Sequence, residues 1–286
     1  YELCIRLARR RQQLDLDLSC WQVAGIGGDM VKPRVLREFA EAFRPYGFDP
    51  QALTPSYGLA EATLAVSFCS KARPVAHDTV DNRSLATRAL AIPADASTPL
   101  ARTFVSCGRP LPGYHLRIQH PETQQILAER QVGVLHISGP SLMRGYHNDP
   151  ERTHLALPDG AWLNTGDIGY LADGELFITG RIKEMIVVRG RNLWPQDIEW
   201  TIEREIEAFK SGDTAAFGLI GPDDCERVIV LAQCRSRDPE QRDNLIKDIE
   251  AAALRACGVE CEIHLIPPGS LPRTTSGKLM RTRAKY

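Results

Sequence analysis

The sequence changes texture at residues 180–184, and that break constrains the fold more than the composition does. From about residue 104 to Gly180, the short stretches "YHLRIQH", "VGVLHISG" and "GELFITG" are separated by Pro, Gly and Asp turns, the signature of paired strands. After Gly180 the pattern restarts. "EMIVVRG" and "AAFGLIG" predict strands around a helix at 195–209, and "RVIVLAQCR" predicts another strand. A helix over 239–256 and a strand over 261–266 complete a compact α+β unit. A boundary is therefore expected near Arg181–Glu184, dividing the chain into residues 1–180 and 181–286. The whole reads as α/β and multi-domain, and 286 residues suffice for two cores.

Upstream, "YELCIRLARRRQQL" reads as a helix already in progress, and Tyr1 is not a methionine, so the sequence is expected to be a piece of something longer. "WQVAGIGGDM" (21–30) predicts a short strand running into glycines. "KPRVLREFAEAFRPYGF" carries apolar residues at 35, 36, 39, 40 and 43, which is helical spacing, with Pro33 in the first turn. "LTPSYGLAEATLAVSF" predicts a turn and then an apolar helix. Residues 71–103 are weakly patterned and rich in Ala, Pro, Asp and Ser, the texture of a surface loop or insertion. The strands of 104–180 predict a small barrel or sheet.

Composition excludes several classes. A net charge of -1 gives no electrostatic case for nucleic acid or an anionic membrane. No run approaches the roughly 18 apolar residues of a spanning helix, so no transmembrane segment is expected. The nearest of the eight cysteines, Cys257 and Cys261, lack CxxC spacing and a histidine partner; buried or free thiols in a reducing cytoplasm fit better than a metal site.

Two glycine motifs fail as nucleotide fingerprints. In "PRTTSGKLMR" (272–281) Pro272 stands where a P-loop needs glycine, and no Ser or Thr follows Lys278 to hold magnesium. "GIGGDM" lacks GxGxxG spacing and the distant acidic residue, leaving only glycines that admit close backbone approach. In "YGLAEAT" an aromatic ring that can stack on a planar base sits four residues before Glu61, whose oxygens suit magnesium; core filler and a helix first-turn charge fit the same residues. Asp167, in a Thr-Gly-Asp turn, can accept from a sugar diol, and the "ADGE" hairpin returns the chain to Arg181, whose donors suit hydroxyls or phosphate. A plain hairpin with surface charges fits as well.

Taken in order, "YGLAE", "TGD", "GRIKEMIVVRGRN" and "PRTTSGK" resemble the adenylate-forming superfamily of acyl and aryl ligases. "RPYGFDPQALTPSYGLAEATLAVSF", "VSCGRPLPGY" and "RGRNLWPQDIEW" resemble the versions found in fatty acyl-AMP ligases, from about Tyr1 to Lys285. The resemblance implies that residues 1–180 are the C-terminal part of a large AMP-binding domain, with an α/β subdomain and a β-barrel-like one. Residues 181–286 would be a small mobile domain. It implies that Tyr57, with Gly58, stacks on adenine opposite a wall of Gly28, Asp29 and Met30, that Glu61 holds magnesium, and that Asp167 and Arg181 bind the ribose. Lys183 becomes the hinge, and Lys278 the lysine bridging the attacking carboxylate and the α-phosphate of ATP. Gly28-Asp29-Met30 departs from the usual Ala-Glu-Pro. The phosphate-gripping loop would lie upstream, so these residues alone are expected to be incomplete as a catalyst.

Between Glu61 and Ser106 lie 44 residues, more than ordinary acyl-CoA ligases place there, and 71–103 is the candidate insertion distinguishing fatty acyl-AMP ligases. Such a wedge would restrain the hinge and leave the acyl-adenylate for the phosphopantetheine thiol of an acyl carrier protein, or of a polyketide or peptide synthase carrier domain. An acyl-CoA ligase and a non-catalytic half that binds nucleotide or a partner are the alternatives.

Overall fold

The computed structural model describes all residues except 11–14, 96, 99 and 222–225. The chain divides into two units: Tyr1–Leu85 with Ala89–Thr179, and Ala86–Arg88 with Gly180–Tyr286. The first begins with α1 (Glu2–Arg10), β1 (Ala24–Ile26) and α2 (Pro33–Phe43). Residues 11–14 of the expected opening helix, and 96 and 99 of the 71–103 segment, lie outside the described residues. Pro33 stands in the first turn of α2, where no intrahelical N–H is lost, and the apolar stripe buries Val35, Leu36, Phe39, Ala40 and Phe43. Phe39 anchors this core, with the rings of Tyr1, Trp21 and Phe48 edge-on around it.

β2 (Leu53–Leu59) and β3 (Leu64–Phe68) follow, joined by a 3-10 turn over Ala60–Ala62. The helix expected in "YGLAEATLAVSF" is therefore absent. Strand pairing overrides the apolar run: β2 lies parallel to β1 and antiparallel to β3, in a sheet ordered β1-β2-β3-β6, where β6 is Arg109–Pro110. A Cβ on Gly58 would stand 1.5 Å from Leu64 O, so only glycine allows this close pairing.

The 71–103 segment is not a loose loop. β4 (His77–Asp81) pairs antiparallel with β5 (Ala101–Val105), and α3 (Asn82–Arg88) lies between them, N-capped by Asp81 through Arg83 N and Ser84 N. Val80, Leu85 and Ala91 are fully buried, and Asp78 accepts from Tyr170 Oη at 2.6 Å and pairs with Arg130 at 3.0 Å. Apart from Val80 and Leu85, the buried positions over residues 80–91 are the small Ser84, Ala86 and Ala91, which is why the pattern reads weakly.

The unit's second main sheet holds β7 (His115–Gln119), β8 (Gly133–Ser138), β9 (Leu163–Ala172) and β10 (Glu175–Arg181) in the order β10-β9-β8-β7, after the short α4 (Pro150–Ala156) between β8 and β9. It forms no closed barrel among the described residues. The expected hairpin turns at Asp173-Gly174, both with positive φ. Val66, Leu135, Ile137, Leu163 and Leu176 pack its core.

The second unit contains β11 (Ile186–Val188), β12 (Arg191–Leu193), α5 (Pro195–Glu205), β13 (Thr214–Ile220), β14 (Glu226–Gln233), α6 (Pro239–Cys257), β15 (Cys261–Ile266) and α7 (Arg281–Ala284). β14 pairs antiparallel with β13 and parallel with β15; the parallel pair requires a crossover, which α6 provides. Asp238 caps the start of α6 and Gly258, at φ 67, ends it. α5 stops at Glu205 rather than 209, and Phe209 turns back into the core beside Ile186, Ile198, Ile202, Val230 and Ile249.

Candidate nucleotide site

Parallel pairing of β1 and β2 sets Ile26, where β1 ends, opposite Pro55 in the first half of β2, two residues before Tyr57. The carboxyl end of a parallel strand is where ligands approach. Glycine at 27 keeps the approach open, since a Cβ there would meet Ser56 O at 2.7 Å. Gly28 turns the chain with φ 79, and Asp29 folds its carboxylate back onto Met30 N at 2.8 Å. The segment 28–30 thus follows β1 beside the strand that carries Tyr57.

Tyr57 and Asp167 are 110 residues apart, and the fold joins them: Tyr57 Oη donates to Asp167 Oδ2 at 2.6 Å. Asp167 is 5% exposed. Thr-Gly-Asp is not a free turn but an irregularity inside β9, where pairing with β8 shifts between Val134 and His136. Bulges of this kind re-aim a side chain. Gly166 supplies φ 70, Gly166 N donates to Asn164 Oδ1, and Thr165 Oγ1 takes Asp167 N while donating to Leu135 O. The Asp167 backbone is therefore held on a frame of short polar bonds, with its carboxylate at the Tyr57 hydroxyl.

Glu61 sits on the 3-10 turn between β2 and β3, not on a helix. Its backbone O accepts from Met143 N at 2.7 Å, and its Oε1 accepts from Tyr146 Oη at 2.8 Å. Burial, followed by the bond to Glu61, raises the Tyr146 phenol above its ordinary range, so it stays a donor. Ala62 O takes hydrogen bonds from Tyr114 Oη and Ser141 Oγ, and Thr63 Oγ1 donates to Ser141 O. Thr63 and Leu64 have φ of 54° and 85°, strained values for side chains of their kind, which the surrounding bonds over-determine. Tyr146 and Ser141 escape sequence reasoning because no motif contains them; the aromatic in "MRGYHND" was the available signal.

Arg181 ends β10 and is exposed, and Lys183 is exposed in the turn that follows, closed by Glu184 N and Met185 N donating to Arg181 O. Lys278 is exposed on a loop of its own unit. Arg273 and Leu279 bridge its base, Thr274 N donates to Lys278 O at 2.8 Å, and Lys278 N donates to Thr274 Oγ1 at 3.0 Å. Gly277, with φ 84, makes the tight turn before the lysine. Tyr57, Glu61 and Asp167 belong to the first unit, and Lys183 and Lys278 to the second. The seven described cysteines are free; burial pushes Cys69 up to about 11 and Cys107 to about 12, so both are thiols.

The architecture is that of adenylate-forming enzymes. The chain belongs to the AMP-binding enzyme family, whose model matches residues 1–147. A putative acyl-CoA synthetase of Caulobacter vibrioides is 42% identical over all of this chain and half of its own length. The medium-chain-fatty-acid–[acyl-carrier-protein] ligase JamA of Moorena producens is 36% identical, again over the whole chain and half of that protein. Among solved structures, one from work on fatty acyl-adenylate ligases of E. coli and L. pneumophila aligns with a TM-score of 0.88 and 44% identity, over 99% of this chain and 51% of that one. The chain thus spans about half the length of the relatives it matches.

Proposed function

We propose that this chain is the C-terminal half of a ligase that activates a fatty acid with ATP and passes the acyl group to a carrier-bound phosphopantetheine thiol. The carrier is an acyl carrier protein or a carrier domain of a polyketide or nonribosomal peptide synthase. The observation that carries the reading is the bond between Tyr57 and the buried Asp167. It sets an aromatic face, able to stack on adenine, next to a carboxylate able to accept from both ribose hydroxyls. Gly28, Asp29 and Met30 would close the other side of the base with backbone, Gly58 keeps β2 and β3 close beneath it, and Arg181 would help hold the ribose.

In the reaction a carboxylate oxygen of the fatty acid attacks the α-phosphorus, the bond to the bridging oxygen breaks, and pyrophosphate leaves. Negative charge builds on the α-phosphoryl oxygens, and Lys278 delivers an ammonium to them, the point at which a placed charge lowers the barrier most. The residues present fit magnesium in one way. Glu61 commits Oε1 to Tyr146 and keeps Oε2 for an ion, and no cluster of three acidic, His or Cys ligands exists among the described residues. Glu61 would hold the ion through Oε2, and magnesium would supply charge neutralisation for the phosphates there. Lys183 is the hinge of this reading, and 71–103 the segment that restrains it. No helix of the described residues is long and apolar enough to cross a membrane, and a cytoplasmic enzyme with free thiols is part of the proposal.

ATP–pyrophosphate exchange by the full-length protein over a panel of fatty acids tests the reading; absence of fatty-acid-dependent exchange refutes it. CoA as the acceptor is the second reading, favoured by the description of the Caulobacter relative. Comparing thioester yield on CoA and on a phosphopantetheinylated carrier decides between them.

A further inference from the structure

Three residues beyond Lys278, Arg281 opens α7 and enters a cluster that none of the motifs above explains. Its Nε and Nη2 donate to Glu199 Oε1 and Oε2 at 2.8 and 2.6 Å, a bidentate pair, and its Nη1 donates to Glu184 Oε2 at 2.9 Å. The side chains of Arg281 and Glu199 are 13% and 4% exposed. Glu199 lies in α5 and also accepts Ala216 N of β13 at 2.9 Å, and Glu184 accepts from Gln196 Nε2 at 3.3 Å. One guanidinium therefore joins α5, an α5-held strand and the residue directly after Lys183. A lone buried pair of carboxylates would repel; the planar fork of arginine satisfies both at once, which the point charge of a lysine cannot do.

The cluster lies at the root of the Lys278 loop. Met280 N, next to Arg281, donates to Pro272 O and closes the base, while Arg273 donates to Gly277 O and to Gly212 O from the other side. Residues 275–278 between them are exposed, and their bonds run to Thr274 and Arg273 within the loop, so the direction of Lys278 follows how these two arginines hold its ends.

We propose that Arg281 is a positioning residue for Lys278: bound to Glu199 and Glu184, it fixes the lysine loop and the residue after Lys183 to one frame, so that they move as a single piece. The inference rests on the adenylating role proposed for Lys278.

The test uses the full-length protein and three variants, Lys278→Ala, Arg281→Lys and the double variant, assayed by fatty-acid-dependent ATP–pyrophosphate exchange. Arg281→Lys should lower kcat about tenfold or more and leave the KM for ATP within about twofold, since nucleotide contacts lie elsewhere. The double variant should be no slower than Lys278→Ala, because a residue that acts through another adds nothing once that one is gone. Hydrogen exchange should quicken in the peptide over 272–280 and stay unchanged in β13, β14 and β15. Glu199→Gln, which keeps the shape and an acceptor, should give the same pattern more weakly and serves if Arg281→Lys does not fold. Normal kcat in Arg281→Lys beside a crippled Lys278→Ala overturns the proposal and leaves the adenylation reading standing. Additive losses in the double variant, or lost protection throughout β13–β15, also overturn it, because either marks a merely structural role. Full activity in Lys278→Ala overturns both.

Discussion

Replacing Tyr57 with Phe removes one oxygen and keeps the ring, which separates the two roles proposed for this residue. The lost bond is a 2.6 Å donation to a carboxylate that is 5% exposed, so water has little room to replace the hydroxyl. Hydrogen bonds to charged groups contribute about 1.5–3 kcal/mol to stability. Tyr57 is itself only partly buried and Asp167 keeps its backbone frame, which places the expected loss near the lower end, about 1.5 kcal/mol. If that bond also aims Asp167 at the ribose, up to the same free energy is lost from ATP binding. At about 1.4 kcal/mol per tenfold, the KM for ATP should rise by up to roughly tenfold. Stacking survives on the phenyl ring, so kcat should change little, whereas Tyr57→Ala should weaken ATP binding further. The assay is exchange kinetics over an ATP series at saturating fatty acid, with urea unfolding of the same preparations. An unchanged KM together with an unchanged urea midpoint refutes the argument that this bond holds the site. A collapse of kcat at constant KM would instead place Tyr57 in the chemical step.

Asp167→Ala should raise the KM for ATP by more than Tyr57→Phe does, because ribose contacts persist from ground state to transition state; an ATP series detects it, and an unchanged KM removes Asp167 from the site. Burial holds His136 below its ordinary value of 6.5, and it does the same to His77. The unfolded chain therefore takes up these protons first, so stability present above pH 6.5 is lost as pH falls through that value toward the depressed pKa values. Urea midpoints of the wild type and His136→Gln at two pH values on either side of that window should converge in the more acidic one. Removing 71–103 whole would delete Asp78, the partner of Tyr170 and Arg130, and is expected to unfold the first unit. A lost cooperative urea transition in the deletion variant checks this, and a normal midpoint would place the segment outside that core.

What could be read in the sequence follows from the reach of each signal. The second unit was legible nearly strand by strand, because α5 and α6 have one-sided apolar stripes and the strands between them are continuous apolar runs such as "VIVLA". The first unit was less so. "LAEATLAVSF" has helical apolar spacing on its own, and it is pairing with β2 on one side and with β6, distant in sequence, on the other that makes Leu64–Phe68 a strand. β4 and α3 were missed although the Asp81 cap before "NRS" is a start signal, since Ala-rich cores carry little hydrophobic contrast. The functional residues divide the same way. Tyr57, Glu61 and Asp167 stand out by motif, but the bond between Tyr57 and Asp167 depends on a bulge that no local pattern encodes. Arg281 was visible only as one of several basic residues near the end of the chain.

The position of Lys278 has a further consequence for how such a ligase must work. The loop is tied at both ends, by Arg273 to Gly212 and by Arg281 to α5, and its inner turn is closed by bonds between Thr274 and Lys278. Swinging the loop alone would break the bidentate Arg281–Glu199 pair and leave Glu199 buried with its charge unmatched, a cost of several kcal/mol. The stretch 181–183, ahead of the anchored Glu184, is different. Arg181 and Lys183 are exposed, and the turn is closed by two backbone bonds to Arg181 O. Rotating backbone there costs little beside opening a buried charge cluster. On the adenylating reading, then, the lysine is delivered and withdrawn by its whole unit, with the motion concentrated at Lys183. A substitution that stiffens this turn, such as Lys183→Pro, should slow whichever half-reaction needs the second orientation while sparing the one the enzyme already favours.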